Sequence, residues 1–178
     1  MTKYQTGALV GLRLLVGWHF LYEGLAKLTN PYWTSAGYLA ESQWIFQDLL
    51  IRIAASPTAV TIVDYMNMWG LTLIGLGLVL GLFTRAATVA GIVLLAFYYL
   101  SAPPFTGLSY PMPMEGSYLI VNKVLIELAA LVVLLGFPTG RTWGLDFFVA
   151  RARAARHPAP VTEPASGPAP ESHEPVHA

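Results

Sequence analysis

The sequence predicts an all-α integral membrane protein: a four-helix transmembrane bundle with an amphipathic helix in an outer loop and a disordered C-terminal tail. Its 178 residues are 55% hydrophobic and only 11% charged, and the mean hydropathy is +0.55. That composition is too apolar for a disordered chain and argues against a soluble enzyme. The polar–apolar alternation typical of strands is absent, and backbone groups in lipid are most simply satisfied within helices.

Four stretches of the sequence are long enough, or nearly so, to cross a bilayer, which takes about 20 mostly apolar residues. They are residues 6–28, 59–82, 86–102 and 117–137. The third is short and stops at Pro103-Pro104, and the fourth ends at Pro138. We therefore expect one membrane domain over residues 1–150.

Basic residues predict the orientation of this domain. With a cytoplasmic N-terminus, an even number of spans also puts the C-terminus in the cytoplasm, and most arginines then lie inside, as the positive-inside rule requires. The first span does not read as a cleavable signal, because Arg13 interrupts it and no small-residue cleavage site follows. We expect a multi-pass protein of the bacterial or archaeal cell (inner) membrane with both termini cytoplasmic.

Two segments outside the spans are informative. The outer loop, residues 29–58, is rich in aromatic side chains, and apolar residues from Ile45 to Ile53 recur at helical spacing. This pattern predicts an amphipathic helix on the outer leaflet or over the bundle, and Ser56-Pro57 is typical of a helix start. Residues 151–178 combine prolines, glutamates and three histidines without apolar periodicity. We expect a disordered cytoplasmic tail there, without a metal site.

Ionisable and amide side chains within the spans are the candidate functional residues. Such groups are costly in lipid and usually face the bundle interior or a wet cavity. In the predicted topology most of them lie toward the outer side, where bundled helices would gather them in a polar pocket beneath the aromatic loop. They are Arg13, His19, Glu23 and Lys27 on the first span, Asp64 and Asn67 on the second, and Asn122, Lys123 and Glu127 on the fourth.

Spacing orders the residues of the first span into two rows. One row consists of Arg13, Gly17, Phe20, Gly24 and Lys27, which share one helix face. Its glycines allow close approach of another helix or of a ligand. The second row consists of His19, Glu23 and Lys27 at intervals of four, so Glu23 can pair with Lys27. On the fourth span Lys123 can pair with Glu127. Ion pairs that only fix helix register, and lysines that reach for the interface, are the structural alternative.

The sequence lacks the motifs of tightly bound redox centres. It has no cysteine, no glycine-rich dinucleotide fingerprint and no clustered metal ligands. His19 has no second histidine within the spans, so a haem held by two histidines has no ligand set here. Zero net charge with scattered basic residues removes nucleic acid as a partner. If electrons pass through the chain, a quinone held as a bound substrate is the expected carrier.

Five sequence segments carry a family resemblance: LRLLVGWHFLYEGLAKL, NPYWTSAGYL, VDYMNMWGLTLIGLGLVLGLFTR, AFYYLSAPP and EGSYLIVNKVLIE. Together they resemble the DoxX family over about Leu12 to Gly144. The SAGYL and YLIVNKVLIE segments are most similar to its DoxD-like branch, the membrane subunit of thiosulfate:quinone oxidoreductase. The resemblance implies four transmembrane helices and a role in quinone-linked electron transfer.

Residue type and depth then suggest roles for the candidate residues. Glu23, Asp64 and Glu127 are the candidates for catalytic proton relay. Those for binding substrate or quinone are Arg13, Lys27, Trp33, Asn67, Tyr98, Tyr99, Asn122 and Lys123. Cations near the outer surface would attract an anion such as thiosulfate.

Three functions stay open at the level of sequence. The first is the membrane subunit of a quinone-linked oxidoreductase, which passes electrons from thiosulfate or a related sulfur compound to quinone. The second is a non-catalytic anchor or scaffold of a redox or stress-response complex. The third, a small transporter, lacks the expected internal repeats. The expected partners are the lipid bilayer, a second oxidoreductase subunit and further copies of the chain, and whether the chain is itself catalytic is left open.

Overall fold

The computed structural model describes residues 2–105, 107–108, 119–137, 139–140, 144–147 and 151. Within these ranges, six α-helices have both ends defined. They are α1 (Lys3–Thr29), α2 (Ala36–Ala40), α3 (Gln47–Ala54), α4 (Pro57–Leu80), α5 (Thr84–Ser101) and α6 (Lys123–Gly136). Residues 145–147 are helical as well, and no strand occurs in the described ranges. The predicted all-α class is thereby confirmed for this part of the chain. The predicted tail lies outside the described residues except for Arg151.

Three of the four long helices lie where the sequence predicts them. α1, α4 and α5 begin and end within three residues of the predicted bounds. Two of them, α4 and α5, are long and apolar enough to cross a membrane, judged by length and composition. α1 has 27 residues but carries several ionisable side chains, and α6 has 14 residues. The apolar helices thus account for two of the four predicted spans.

The predicted start of the fourth span, at Ser117, needs correction. Residues 119–122 are not helical, and α6 begins only at Lys123. Asn122 is its N-cap: the side-chain Oδ1 accepts a hydrogen bond of 2.9 Å from the Leu125 N–H, as asparagine at this position commonly does. Leu119 has a φ of 68°, which is incompatible with a right-handed helix. Asn122 therefore lies at the end of α6 and not within it.

The hydrophobic core lies between the four long helices, each of which contributes to it. Phe20 of α1, Leu78 of α4, Leu95 of α5 and Leu131 of α6 are buried in one cluster. Because side chains from all four helices meet there, the core fixes how each helix is rotated about its own axis.

Glycines let α1 and α4 approach closely. A Cβ placed on Gly24 of α1 would lie 2.6 Å from the Thr72 backbone nitrogen, and one on Gly75 of α4 would lie 2.6 Å from Leu21 Cα. Gly17 faces Leu78 in the same way. The predicted glycine-bearing row of the first span is therefore its contact with α4, as is common for small residues in membrane helices.

The outward faces of the helices are also apolar. Leu15 and Trp18 of α1, Leu73 of α4, Val93 of α5 and Ile126 of α6 all expose more than half of their surface. In water such faces would promote aggregation, whereas lipid tails are as apolar as these side chains. The arrangement suits a bundle surrounded by a bilayer.

One end of the bundle, here named the loop end, is covered by residues 30–56 with α2 and α3. Leu50 of α3 is buried against Leu39 and Val60, and the Phe46 ring stacks on Phe97 at 5.8 Å. The predicted amphipathic helix is thus present as α3 and packs over the bundle. Ser56 caps the start of α4 through its Oγ, as predicted.

The opposite end, the turn end, is fastened by residues that follow α6. The tight turn between α4 and α5 places Gly81 and Phe83 at positive φ. Asp146 Oδ1 accepts a hydrogen bond of 2.7 Å from the Phe83 N–H, and Oδ2 accepts one of 3.0 Å from the Thr84 N–H and another from the Thr84 hydroxyl. The carboxylate thereby caps the start of α5 from a distant part of the sequence.

Removal of the Asp146 carboxylate is expected to destabilise the turn end in a pH-dependent way. Burial favours the neutral acid, but the hydrogen bonds from Thr84 and Phe83, with the charge of Arg13, hold the pKa of Asp146 below its ordinary value of 3.8. Its stabilisation is therefore present above the unfolded-state pKa and lost as the pH falls through the lower folded-state value. Asp146→Ala should lower the free energy of unfolding by about 1 kcal/mol at neutral pH.

Thermal unfolding of the two proteins across a pH series, followed by circular dichroism, measures this difference. The wild type and the variant should converge in acid. A difference in thermal stability between the two proteins that stays constant down to the most acidic sample would contradict the role of the Asp146 carboxylate.

Candidate functional site

A cavity of about 350 Å³, here named the loop cavity, lies under the connection at the loop end. Its size falls in the range of roughly 300 to 1,000 Å³ that is usual for ligand pockets. Side chains from α1, α4, α5, α6 and the covering loop contribute to its wall. The lining residues are Lys27, Trp33, Thr34, Ser35, Gly37, Tyr38, Asn67, Tyr98, Ala102, Asn122 and Val124.

A second cavity, here named the inner cavity, has a volume of about 200 Å³. It shares Lys27, Tyr98 and Val124 with the loop cavity, so the two adjoin. Ionisable side chains from both α1 and α6 line the inner cavity. It is lined by His19, Phe20, Glu23, Lys27, Leu71, Leu95, Tyr98, Lys123, Val124 and Glu127.

Lys27 stands at the junction of the two cavities. Its Nζ lies 2.6 Å from Glu23 Oε2, so the predicted pair on the first span is present. The same ammonium lies 5.6 Å from the centroid of the Trp33 ring, within the usual range of a cation–π contact. An ammonium has three N–H donors, so Lys27 can hold Glu23 and also bind an acceptor in the loop cavity.

Tyr98 is the second shared polar residue. Its hydroxyl accepts a hydrogen bond from Asn67 Nδ2, which leaves the phenolic proton for an acceptor in either cavity. Asn67 Oδ1 is buried and has no hydrogen-bond partner among the described residues. The Tyr38 hydroxyl donates to the Tyr98 carbonyl oxygen at 3.0 Å, and the two rings meet edge to face. The covering loop therefore holds Tyr98 in place.

Glu127 of α6 lies beside His19 of α1. Its Oε2 lies 3.6 Å from His19 Nε2, with only 12% of the glutamate side chain exposed. The predicted pair of Glu127 with Lys123 is not formed among the described residues. His19 lies four residues before Glu23, so the two share one helix face, as the spacing of the first span predicts.

Three of the predicted site residues lie outside both cavities. Asp64 Oδ1 accepts hydrogen bonds from the Ser35 N–H at 2.8 Å and the Ser35 hydroxyl at 2.5 Å, so it anchors the covering loop. The Tyr99 hydroxyl donates to the Ile120 carbonyl oxygen at 2.8 Å. Arg13 is buried at the turn end, where its Nη1 donates to Thr139 Oγ1 at 3.2 Å.

The other eight predicted residues line one or both cavities. They are Glu23, Lys27, Trp33, Asn67, Tyr98, Asn122, Lys123 and Glu127. Ser35 and Tyr38 were not predicted as contributors, although both belong to the SAGYL segment that carries part of the family resemblance. The arrangement combines hydrogen-bond donors for an acceptor-rich ligand with carboxylates that can carry protons.

Comparison with protein families identifies a match. The DoxX family model matches residues 8–104, which is more than half of the chain. No curated protein and no solved structure matches this chain. The matched stretch contains Glu23, Lys27, Asn67 and Tyr98, while the cavity residues of α6 lie beyond it.

Proposed function

The chain belongs to the DoxX family of membrane proteins, and from that premise we propose that it is the membrane subunit of a quinone-linked oxidoreductase. The single observation that supports this most is the loop cavity, where Lys27, Tyr98 and Asn67 surround one space beside Trp33. A quinone ring has two carbonyl oxygens that accept hydrogen bonds and a flat face that packs on aromatic rings. Lys27 and Tyr98 are donors of the kind those oxygens need.

Quinone reduction takes up two electrons and two protons, and the inner cavity is suited to deliver the protons. Glu23 contacts Lys27 directly, and Glu127 lies deeper beside His19. In the proposed mechanism Lys27 and Tyr98 stabilise the charge that develops on the ring oxygens. The two carboxyl groups take up protons from water and pass them to these oxygens in turn.

Thiosulfate, or a related sulfur compound, is the proposed electron donor. When two thiosulfate anions join through a new sulfur–sulfur bond they form tetrathionate and release two electrons, which reduce one quinone to quinol. Lys27 and Lys123 at the cavities and the exposed Arg52 on α3 would attract such an anion. In this proposal a second oxidoreductase subunit carries out the sulfur chemistry.

The proposal includes a topology. All four long helices cross the inner membrane, both termini are cytoplasmic, and the loop end faces outward, where a sulfur anion arrives. The chain would then be of the DoxD-like type and would meet its partner subunit through the aromatic covering loop.

Quinone binding to the purified full-length protein tests the function. Quenching of Trp33 fluorescence by an added quinone reports binding, and Trp33→Phe identifies that signal. Tyr98→Phe keeps the ring and removes one hydrogen bond, so it should weaken quinone binding about fivefold. Tyr65→Phe is the matched control, because Tyr65 lies exposed on α4 and should bind quinone like the wild type.

A wild-type protein that binds no quinone would refute the proposal. If that protein still recovered its partner subunits from membranes, the anchor or scaffold function would take its place.

A further inference from the structure

A third cavity, of about 250 Å³, lies between the covering loop and helices α4 and α5. Its walls are almost entirely apolar. They include Leu39, Leu50 and Ile53 from the loop side and Val63, Leu94 and Phe97 from the two long helices. Such a space favours a hydrocarbon group and offers little to a polar ligand.

This apolar cavity adjoins the loop cavity. Asn67 and Tyr98 line both. A ring that receives a hydrogen bond from the Tyr98 hydroxyl therefore has donors on one side and hydrocarbon walls on the other. One ligand with a polar head and an apolar tail would match both spaces at once.

The apolar cavity also reaches the outward face of the bundle. Met66, which lines it, is 71% exposed, and Phe97 is 36% exposed. Both side chains belong to the helices that are long and apolar enough to span a membrane. The rim of the cavity therefore lies on a surface where lipid is expected.

We infer that the apolar cavity holds the isoprenoid tail of the quinone whose headgroup occupies the loop cavity, an inference that rests on the proposed function. Its volume exceeds that of an apolar cavity of roughly 150 Å³ that takes up benzene, so the first part of a tail fits. The substrate class is then a membrane-soluble, tail-bearing quinone. It enters from the bilayer between α4 and α5 beside Met66.

A tail gains little hydrophobic free energy when it leaves lipid for protein, because both surroundings are apolar. The cavity instead decides where the tail can leave the headgroup site. A blocked exit should exclude a tailed quinone by steric overlap and leave a tail-free quinone unaffected.

Substitution of Val63 by phenylalanine blocks this exit. The purified full chain is titrated with a tail-free benzoquinone and with the same headgroup bearing a geranyl tail, with tryptophan quenching as the readout. Val63→Phe should weaken binding of the geranyl quinone about tenfold, as overfilling a packed space does, with no change for the tail-free quinone. Ile62→Phe, the adjacent exposed position on α4, should bind both like the wild type.

Leu94→Phe narrows the same cavity from α5 and should repeat the result if Val63→Phe does not fold. Unchanged geranyl-quinone binding in a folded variant would overturn the inference, as would equal weakening of both quinones. Unchanged geranyl-quinone binding would mean that the cavity holds an ordinary lipid chain or stays without a ligand. A wild type that binds neither quinone would instead refute the proposed function itself.

Discussion

Gly75→Ala is expected to lower the free energy of unfolding by about 3 kcal/mol, near the upper end of typical overpacking costs. The added methyl group would lie 2.6 Å from Leu21 Cα and meets the Leu21 backbone nitrogen as well. Backbone atoms cannot rotate out of the way as a flexible side chain can. α1 and α4 would therefore have to move apart, and the core around Phe20 and Leu78 would lose contacts on both helices.

Gly70→Ala is the matched control. It places the same substitution on the same helix, at a position where an added Cβ meets no atom within 4 Å. The Gly70→Ala protein should be as stable as the wild type or more stable by up to about 1 kcal/mol, because alanine favours helix over glycine. Unfolding of each purified protein in detergent, followed by circular dichroism, measures both effects. Equal stability of the two variants would mean that α1 and α4 do not pack through Gly75.

Lys27→Met is expected to slow quinone reduction about hundredfold, the scale of a lost proton donor or charge partner. The substitution keeps much of the side-chain length but removes the ammonium. Glu23 would lose its partner at 2.6 Å, and the loop cavity would lose the cation that lies over Trp33. Both headgroup binding and proton delivery depend on that group in the proposed mechanism.

The assay is the rate at which membranes containing the complete complex reduce an added quinone with thiosulfate as donor. Lys3→Met is the control, since Lys3 is exposed at the far end of the same helix, and it should be fully active. Lys27→Arg keeps the charge and should recover part of the rate. A fully active Lys27→Met protein would show that neither Lys27 nor the junction of the two cavities takes part in the reaction.

Helix position and the closest helix contact were accessible from the sequence. Apolar length placed three of the four long helices within three residues. The spacing of Gly17 and Gly24 identified a face that allows close approach, and the structure shows that this face meets α4. These features depend on neighbours within one helix. The start of α6 was missed because the capping propensity of Asn122 was not weighed against the apolar residues before it.

The partners of the polar groups were not accessible in the same way. Asp64 and Asn67 lie three residues apart on α4, yet Asp64 anchors Ser35 while Asn67 lines two cavities. The path of the covering loop decides that difference. Lys123 and Glu127 have the spacing of an ion pair, yet Glu127 lies beside His19.

The sequence by itself determined that this chain is helical and apolar, where three of its four long helices lie and which face of the first one allows a close contact. Only the tertiary structure decided that eight polar and aromatic side chains share two adjoining cavities, that Arg13 belongs to the opposite end and that a hydrocarbon-lined space adjoins Tyr98. The physical reason is that contacts between helices depend on the depth and rotation of each helix. Core packing sets both, and periodicity within one helix does not encode them.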